Sequence, residues 1–142
     1  MMAASCFGRV INMKPPRYGR GHHELTISLG RFSAGLYGVG HEVTFWRKDK
    51  KQPEDGISYT MIPVTSKSVE ANFHGRACAG FDNPLNPQQV PHNLQPGDMV
   101  RITGAGGYPA RMESDEWCGA KSPVKLYIGG TRLLHQAGRT GR

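Results

Sequence analysis

Cysteine is scarce in this chain: among 142 residues there are three, Cys6, Cys78 and Cys118. An odd number of widely separated thiols builds no disulfide framework, lacks the short ligand spacing of a zinc site, and suits a reducing compartment. Long apolar runs are missing as well. No window approaches the roughly 18 consecutive apolar residues of a membrane-spanning helix. The opening MMAASCFGRVINM has no cationic start leading into an apolar run and a cleavage site. These absences predict a soluble, unprocessed protein of the cytoplasm, the host's if phage-encoded, or of an organelle matrix, with no membrane partner. Acidic residues are outnumbered, 11 Asp plus Glu against 18 Lys plus Arg, and the resulting +7 points to phosphates or anionic surfaces as partners.

Catalytic signatures are lacking too. There is no Gly-x-Ser-x-Gly elbow, no phosphate loop ending in Lys-Ser/Thr and no His-Glu-x-x-His pair. The GAGG of Gly104–Gly107 follows a strand pattern, but no helix pattern follows it, so a dinucleotide-binding turn lacks its context. Asp115 and Glu116 are adjacent and would face apart on a strand, unlike an acid/base pair. His22 and His23 likewise could not share one metal and read as a loop rim, while His41, His74, His92 and His135 are scattered. The sequence therefore predicts a protein that is not an enzyme and uses neither metal nor cofactor.

What is present is strand alternation. In LQPGDMVRITG a Pro-Gly-Asp turn precedes a strand whose Val100 and Ile102 alternate with Arg101 and Thr103. PVKLYIGGTRLL repeats the pattern, with Val124, Leu126 and Ile128 set against Lys125 and Tyr127. Cys6 to Met13 reads as a first strand ended by Pro15-Pro16, and Glu24 to Leu29 as a second. The glycine-rich GRFSAGLYGVG suggests a curved passage before the strand of HEVTFWRKDKK, in which Val43 and Phe45 enter the core and leave Trp46 and Lys48 outside. A strand over Ile57–Val64 leads into SKSVEANF, where Val69 and Phe73, four apart, predict a short helix. The four prolines of FDNPLNPQQVPHNLQP predict a long surface loop without regular structure. A last strand runs from Val124 to Leu134.

The expected fold is all-β: a five- or six-stranded barrel over residues 1–134, with one short helix and long loops, followed by a flexible basic tail at 135–142. SCFGRVINM, HELTISLG, YTMIPVTSKSVEANF, QPGDMVRITG and VKLYIGGTRLL occur in an order that resembles the single-stranded DNA-binding protein family. That family's fold is the oligonucleotide-binding Greek-key barrel, the OB-fold. The resemblance spans about residues 5 to 135 and is best in the last two segments. Two departures stand out: the tryptophan of the central strand is Tyr59 here or is shifted to Trp46, and the acidic C-terminal tail is replaced by one ending Arg139-Thr140-Gly141-Arg142. A divergent phage, plasmid or organellar member fits this pattern.

The resemblance implies binding of single-stranded DNA with little sequence preference, in replication or recombination, and self-assembly through strand edges. Such binding needs cations that follow phosphates and rings on which bases stack. The candidate residues are Arg17, Tyr18, Arg20 and Tyr37 in loops; Trp46, Arg47, Lys48 and Tyr59 around one hairpin; Arg101, Lys125 and Tyr127 on later strands; and Tyr108 and Arg111 in a loop. Two other readings stay open, a β-rich structural or adaptor protein of a phage or other assembly, and a single-stranded RNA-binding module.

Overall fold

The computed structural model describes residues 5–31, 36, 40–50, 56–76 and 82–104, together with the backbone of 126–129 and 132–135. Among these, nine strands carry nearly all regular structure: β1 (Ser5–Lys14), β2 (His23–Ile27), β3 (Val43–Lys48), β4 (Tyr59–Ile62), β5 (Val69–His74), β6 (Gln88–Val90), β7 (Met99–Thr103), β8 (Leu126–Gly129) and β9 (Arg132–His135). Seven form one sheet in the order β4-β3-β7-β1-β2-β5-β6, and β8 pairs with β9 as a separate hairpin. Every neighbouring pair is antiparallel except β2 and β5, which run parallel.

The period of two decides which face is which. Val10, Leu25, Ile27, Phe45, Ala71, Phe73, Val90, Val100 and Ile102 all lie on the buried side and form one cluster with Leu29, Leu36, Leu85 and Leu94. The alternate positions Thr44 and Trp46, Glu24 and Thr26, Asn72 and His74, and Met99 and Arg101 are left on the outer side. Gly8 is needed where β1 meets the segment after β2: a Cβ there would stand 2.6 Å from Leu29 Cγ. Two hydrogen bonds close that contact, Arg9 N to Ser28 Oγ at 2.8 Å and Ser28 N to Arg9 O at 2.8 Å.

The all-β expectation is met, and four finer expectations are corrected. The sheet has seven strands, not five or six, and contains a parallel pair. The segment around Val69 and Phe73 is β5, not a helix: with Ala71 between them, those residues also satisfy the strand period, and all three turn inward. The proline-rich segment is no surface loop, because it contains β6 and buries Pro84, Leu85, Val90, Pro91 and Leu94. Proline is tolerated there because β6 ends the sheet. The last predicted strand is a hairpin, β8 and β9, in which Ile128 lies opposite Leu133.

Candidate functional site

β1 is fastened at its middle and open at its end. Pro96 and Gly97 occupy the central positions of a turn closed by Asp98 N donating to Gln95 O at 3.1 Å, and Gly97 has φ +94°, the positive value that favours glycine. Gly97 N donates to Val10 O, and Val10 N donates to Asp98 O, both at 2.8 Å. The buried Asp98 carboxylate accepts from Arg47 Nε at 2.9 Å, from Arg47 Nη2 at 2.7 Å and from Gln95 N at 2.8 Å. Arg47 Nη2 also donates to Asn93 O at 2.7 Å. The hydrogen bond to Asp98 raises the Arg47 pKa further above its ordinary value, outweighing the opposing effect of burial. Arg47 is thus removed from the exposed set: it shares the inward parity of Val43 and Phe45 and closes the end of the core.

Past Val10 the β1–β2 register shifts, and Asn12 and Lys14 come to lie opposite Thr26 and Glu24 on the outer side. On β5, Asn72 is in register with Glu24, and His74 with Thr26. These residues floor a cleft of about 710 Å³ whose rim is the Pro15–His22 connection with Arg17 and Arg20. The floor is wired together. Glu24 Oε1 accepts from Asn72 Nδ2 at 3.1 Å, and Glu24 Oε2 meets His74 Nε2. His22 Nδ1 donates to Asn72 Oδ1 at 3.1 Å, while its Nε2 stands 3.4 Å from Glu70 Oε2. Burial pushes the Glu24 pKa up, but the hydrogen bonds from His74 and Asn72 and the charges of His74 and His22 together hold it below the ordinary value. Glu24 is therefore ionised at neutral pH.

The predicted residues divide among three places. Arg17 and Arg20 line the cleft, while Tyr18, in the same turn, is 99% exposed and does not line it. Trp46, Tyr59 and Arg101 lie on the outer side of β3, β4 and β7. Trp46 is in register with Met61 and Met99, and Arg101 with Thr44 and Phe7. Trp46 Nε1 donates to Thr44 Oγ1 at 3.2 Å. Tyr59 accepts from Arg9 Nη2 at 3.0 Å, and the Arg9 guanidinium sits 5.6 Å from its ring centre. Lys48 borders a separate, more open hollow of about 400 Å³ beside Asp49, whose carboxylate accepts from Ser58 at 2.6 Å and Thr60 at 2.7 Å. Tyr37, Tyr108, Arg111 and Lys125 lie outside the described residues, as does the side chain of Tyr127.

Sequence reasoning missed Lys14, His22, Glu24, Asn72 and His74 as a group. Glu24 and Asn72 are 48 positions apart and meet only through the parallel β2–β5 pairing. Among the described residues no group of three or more His, Cys, Asp and Glu side chains is placed to hold a metal ion. No helix among them is long and apolar enough to cross a membrane.

A scan against protein-family models finds no match, and a search of curated protein sequences finds none either. Solved structures do match. Diaminopimelate decarboxylase from Helicobacter pylori complexed with L-lysine is 17% identical over 92% of this chain, with a TM-score of 0.61. A further diaminopimelate decarboxylase is 16% identical over 92%, at 0.65, and the Paramecium bursaria Chlorella virus arginine decarboxylase bound to agmatine is 14% identical over 83%, at 0.52. The fold is one that decarboxylases contain. This chain spans only 28% to 30% of those chains.

These neighbours overturn the family resemblance read from the sequence. They are decarboxylases rather than single-stranded DNA-binding proteins, so the expectation of DNA binding, with its roles in replication and recombination, falls with it. The nucleic-acid role assigned to Arg17, Tyr18, Arg20, Trp46, Arg47, Lys48, Tyr59 and Arg101 loses its basis for the same reason. Alternation and a Pro-Gly-Asp turn report a strand and the turn before it, not the function of the sheet that contains them. The exclusion of an enzyme, drawn from missing motifs, does not stand either: the fold matched belongs to parts of enzymes, and local motifs cannot detect residues brought together by a sheet.

Proposed function

We propose that this chain acts as the β domain of a decarboxylase whose substrate is an amino acid bearing a second basic group. The observation that carries this reading is the likeness to diaminopimelate decarboxylase over 92% of the chain at a TM-score of 0.65. The choice of a basic substrate is supported by the neighbours' ligands, L-lysine and agmatine, both amines. In this reading the seven strands are most of the wall of a barrel, with β4 and β6 as the edges where it closes. Chemistry then requires residues corresponding to the remaining two-thirds or more of the neighbours' length.

A chimaera tests it: this chain replaces the matching segment of the Helicobacter pylori enzyme, and CO2 release from diaminopimelate, L-lysine and L-arginine is measured beside the enzyme lacking that segment. Release above the truncated control is the expected result. A chimaera that assembles and releases no more CO2 than the control, or that does not assemble, overturns the reading.

A further inference from the structure

We propose that the cleft between the Pro15–His22 turn and the outer side of β1, β2 and β5 binds a small molecule through a dianionic group, a phosphate or a dicarboxylate. The inference uses only the cleft and does not depend on the decarboxylase reading. Three cations, Lys14, Arg17 and Arg20, converge on one concavity of about 710 Å³. Among the described residues none of the three has a carboxylate within ion-pair distance; the pairs found are His22–Glu70, Arg47–Asp98 and His74–Glu24. Like charges gathered without counter-ions repel one another, and a bound dianion removes that repulsion while giving guanidinium groups the acceptors their geometry suits.

The floor carries a carboxylate, but among the described residues it makes no ion pair with those cations. Glu24 is the carboxylate in the lining, and each of its oxygens already has a donor, Asn72 or His74. Two further polar groups face the cleft with nothing to bond: the half-buried Asn12 amide and Thr26 hydroxyl make no side-chain hydrogen bond among the described residues. Both can donate to an anion lying on the floor.

The rim turn adds an independent sign. Tyr18 has φ 60° and ψ 22°, left-handed values unfavourable for a side-chain-bearing residue, and its ring gains no contact in return at 99% exposure. The turn that contains it has Arg17 and Arg20 on the same cleft. Strain retained without a packing return is a mark of binding sites.

The test is a titration of the purified chain with inorganic phosphate and, separately, with succinate, followed through the imidazole signals of His22 and His74. A saturable shift with either anion is expected, and which anion gives it distinguishes the two sources. Arg17→Ala/Arg20→Ala should weaken that binding about tenfold, a modest loss because both cations are solvent-exposed. Both side chains are exposed, so the melting temperature should not change. Lys48→Ala/Lys50→Ala, which removes two cations away from the cleft, should leave the affinity unchanged. The proposal is overturned if neither anion gives a saturable shift, or if the two double variants weaken binding equally, which would mean generic basicity.

Discussion

The turns at Gln95–Asp98 and Pro15–His22 are built from similar residues, proline, glycine and charge, yet they end in opposite physical states. The first is fastened on three sides: to β1 by two backbone hydrogen bonds at Val10, to β3 through Arg47, and to itself through Asp98 and Gln95. The second is held within itself by long bonds, Gly19 N to Pro16 O at 3.3 Å and Arg20 N to Arg17 O at 3.4 Å, and meets β5 through its last residue, His22. Positive φ in the second includes a tyrosine, Tyr18, beside Gly19 and Gly21, whereas in the first it falls on a glycine, Gly97. The Asp98 charge in the first is buried and matched; the Arg17 and Arg20 charges in the second are exposed and, among the described residues, in no ion pair. A cation beside a turn therefore says little until it is known whether its carboxylate lies inside the sheet.

The largest effect should come from unfastening the first turn. Asp98→Ala leaves Arg47 facing a buried space without its acceptor and frees Gln95 N, and should cost about 3 kcal/mol of stability, the low end for a broken buried pair because Arg47 is partly exposed. Urea unfolding at 25 °C reads this directly. A loss below about 1 kcal/mol, the size of an exposed pair, would erase the contrast between the turns.

Exchanging the conformational demands of the turns should give smaller changes of opposite sign. Gly97→Ala places a Cβ at φ +94° and should destabilise by about 1–2 kcal/mol, while Tyr18→Gly relieves the left-handed residue and should stabilise by up to about 1 kcal/mol. Thermal melts of the two variants check both signs, and a destabilising Tyr18→Gly would show that the ring has a structural partner.

The smallest effect concerns the cleft floor and depends on pH. The Glu24 carboxyl titrates below its ordinary value in the folded chain, so its stabilising contribution is complete above the ordinary carboxylate range and is lost as pH falls through the folded value. Glu24→Gln should lower stability at pH 7 by under about 1 kcal/mol, and the gap to the parent chain should close in acid. A gap that persists or widens as the carboxylate protonates would mean that packing, not charge, holds Glu24.

Much of the sheet was legible because each strand carries its own period. β1, β2, β3 and β7 fall where alternation places them, and Phe45, Val100 and Ile102 point inward as that alternation requires. β5 was misread because Val69 and Phe73 fit both periods and only the intervening Ala71 separates them. β6 was hidden by prolines that an edge strand tolerates. At the cleft, the rim-turn residues Arg17, Tyr18 and Arg20 stood out as a local cluster of charge and ring. Its floor did not, since a parallel pairing leaves no trace in either strand taken alone. Arg47 misled for a related reason: its inward parity was visible, but the buried Asp98 that receives it was 51 positions away.

The parallel contact of β2 with β5 also sets an order of events. A parallel pair requires a crossover, and here the joined residues lie far apart along the chain, so the contact carries a large loop-closure entropy and should form late compared with a hairpin such as β3–β4. During synthesis Lys14, Arg17 and Arg20 emerge well before the hydrogen-bonded floor, which cannot exist until the chain has reached His74. The cleft in this sense acquires its floor well after its cations have been made, but before β7 brings Asp98 to Arg47.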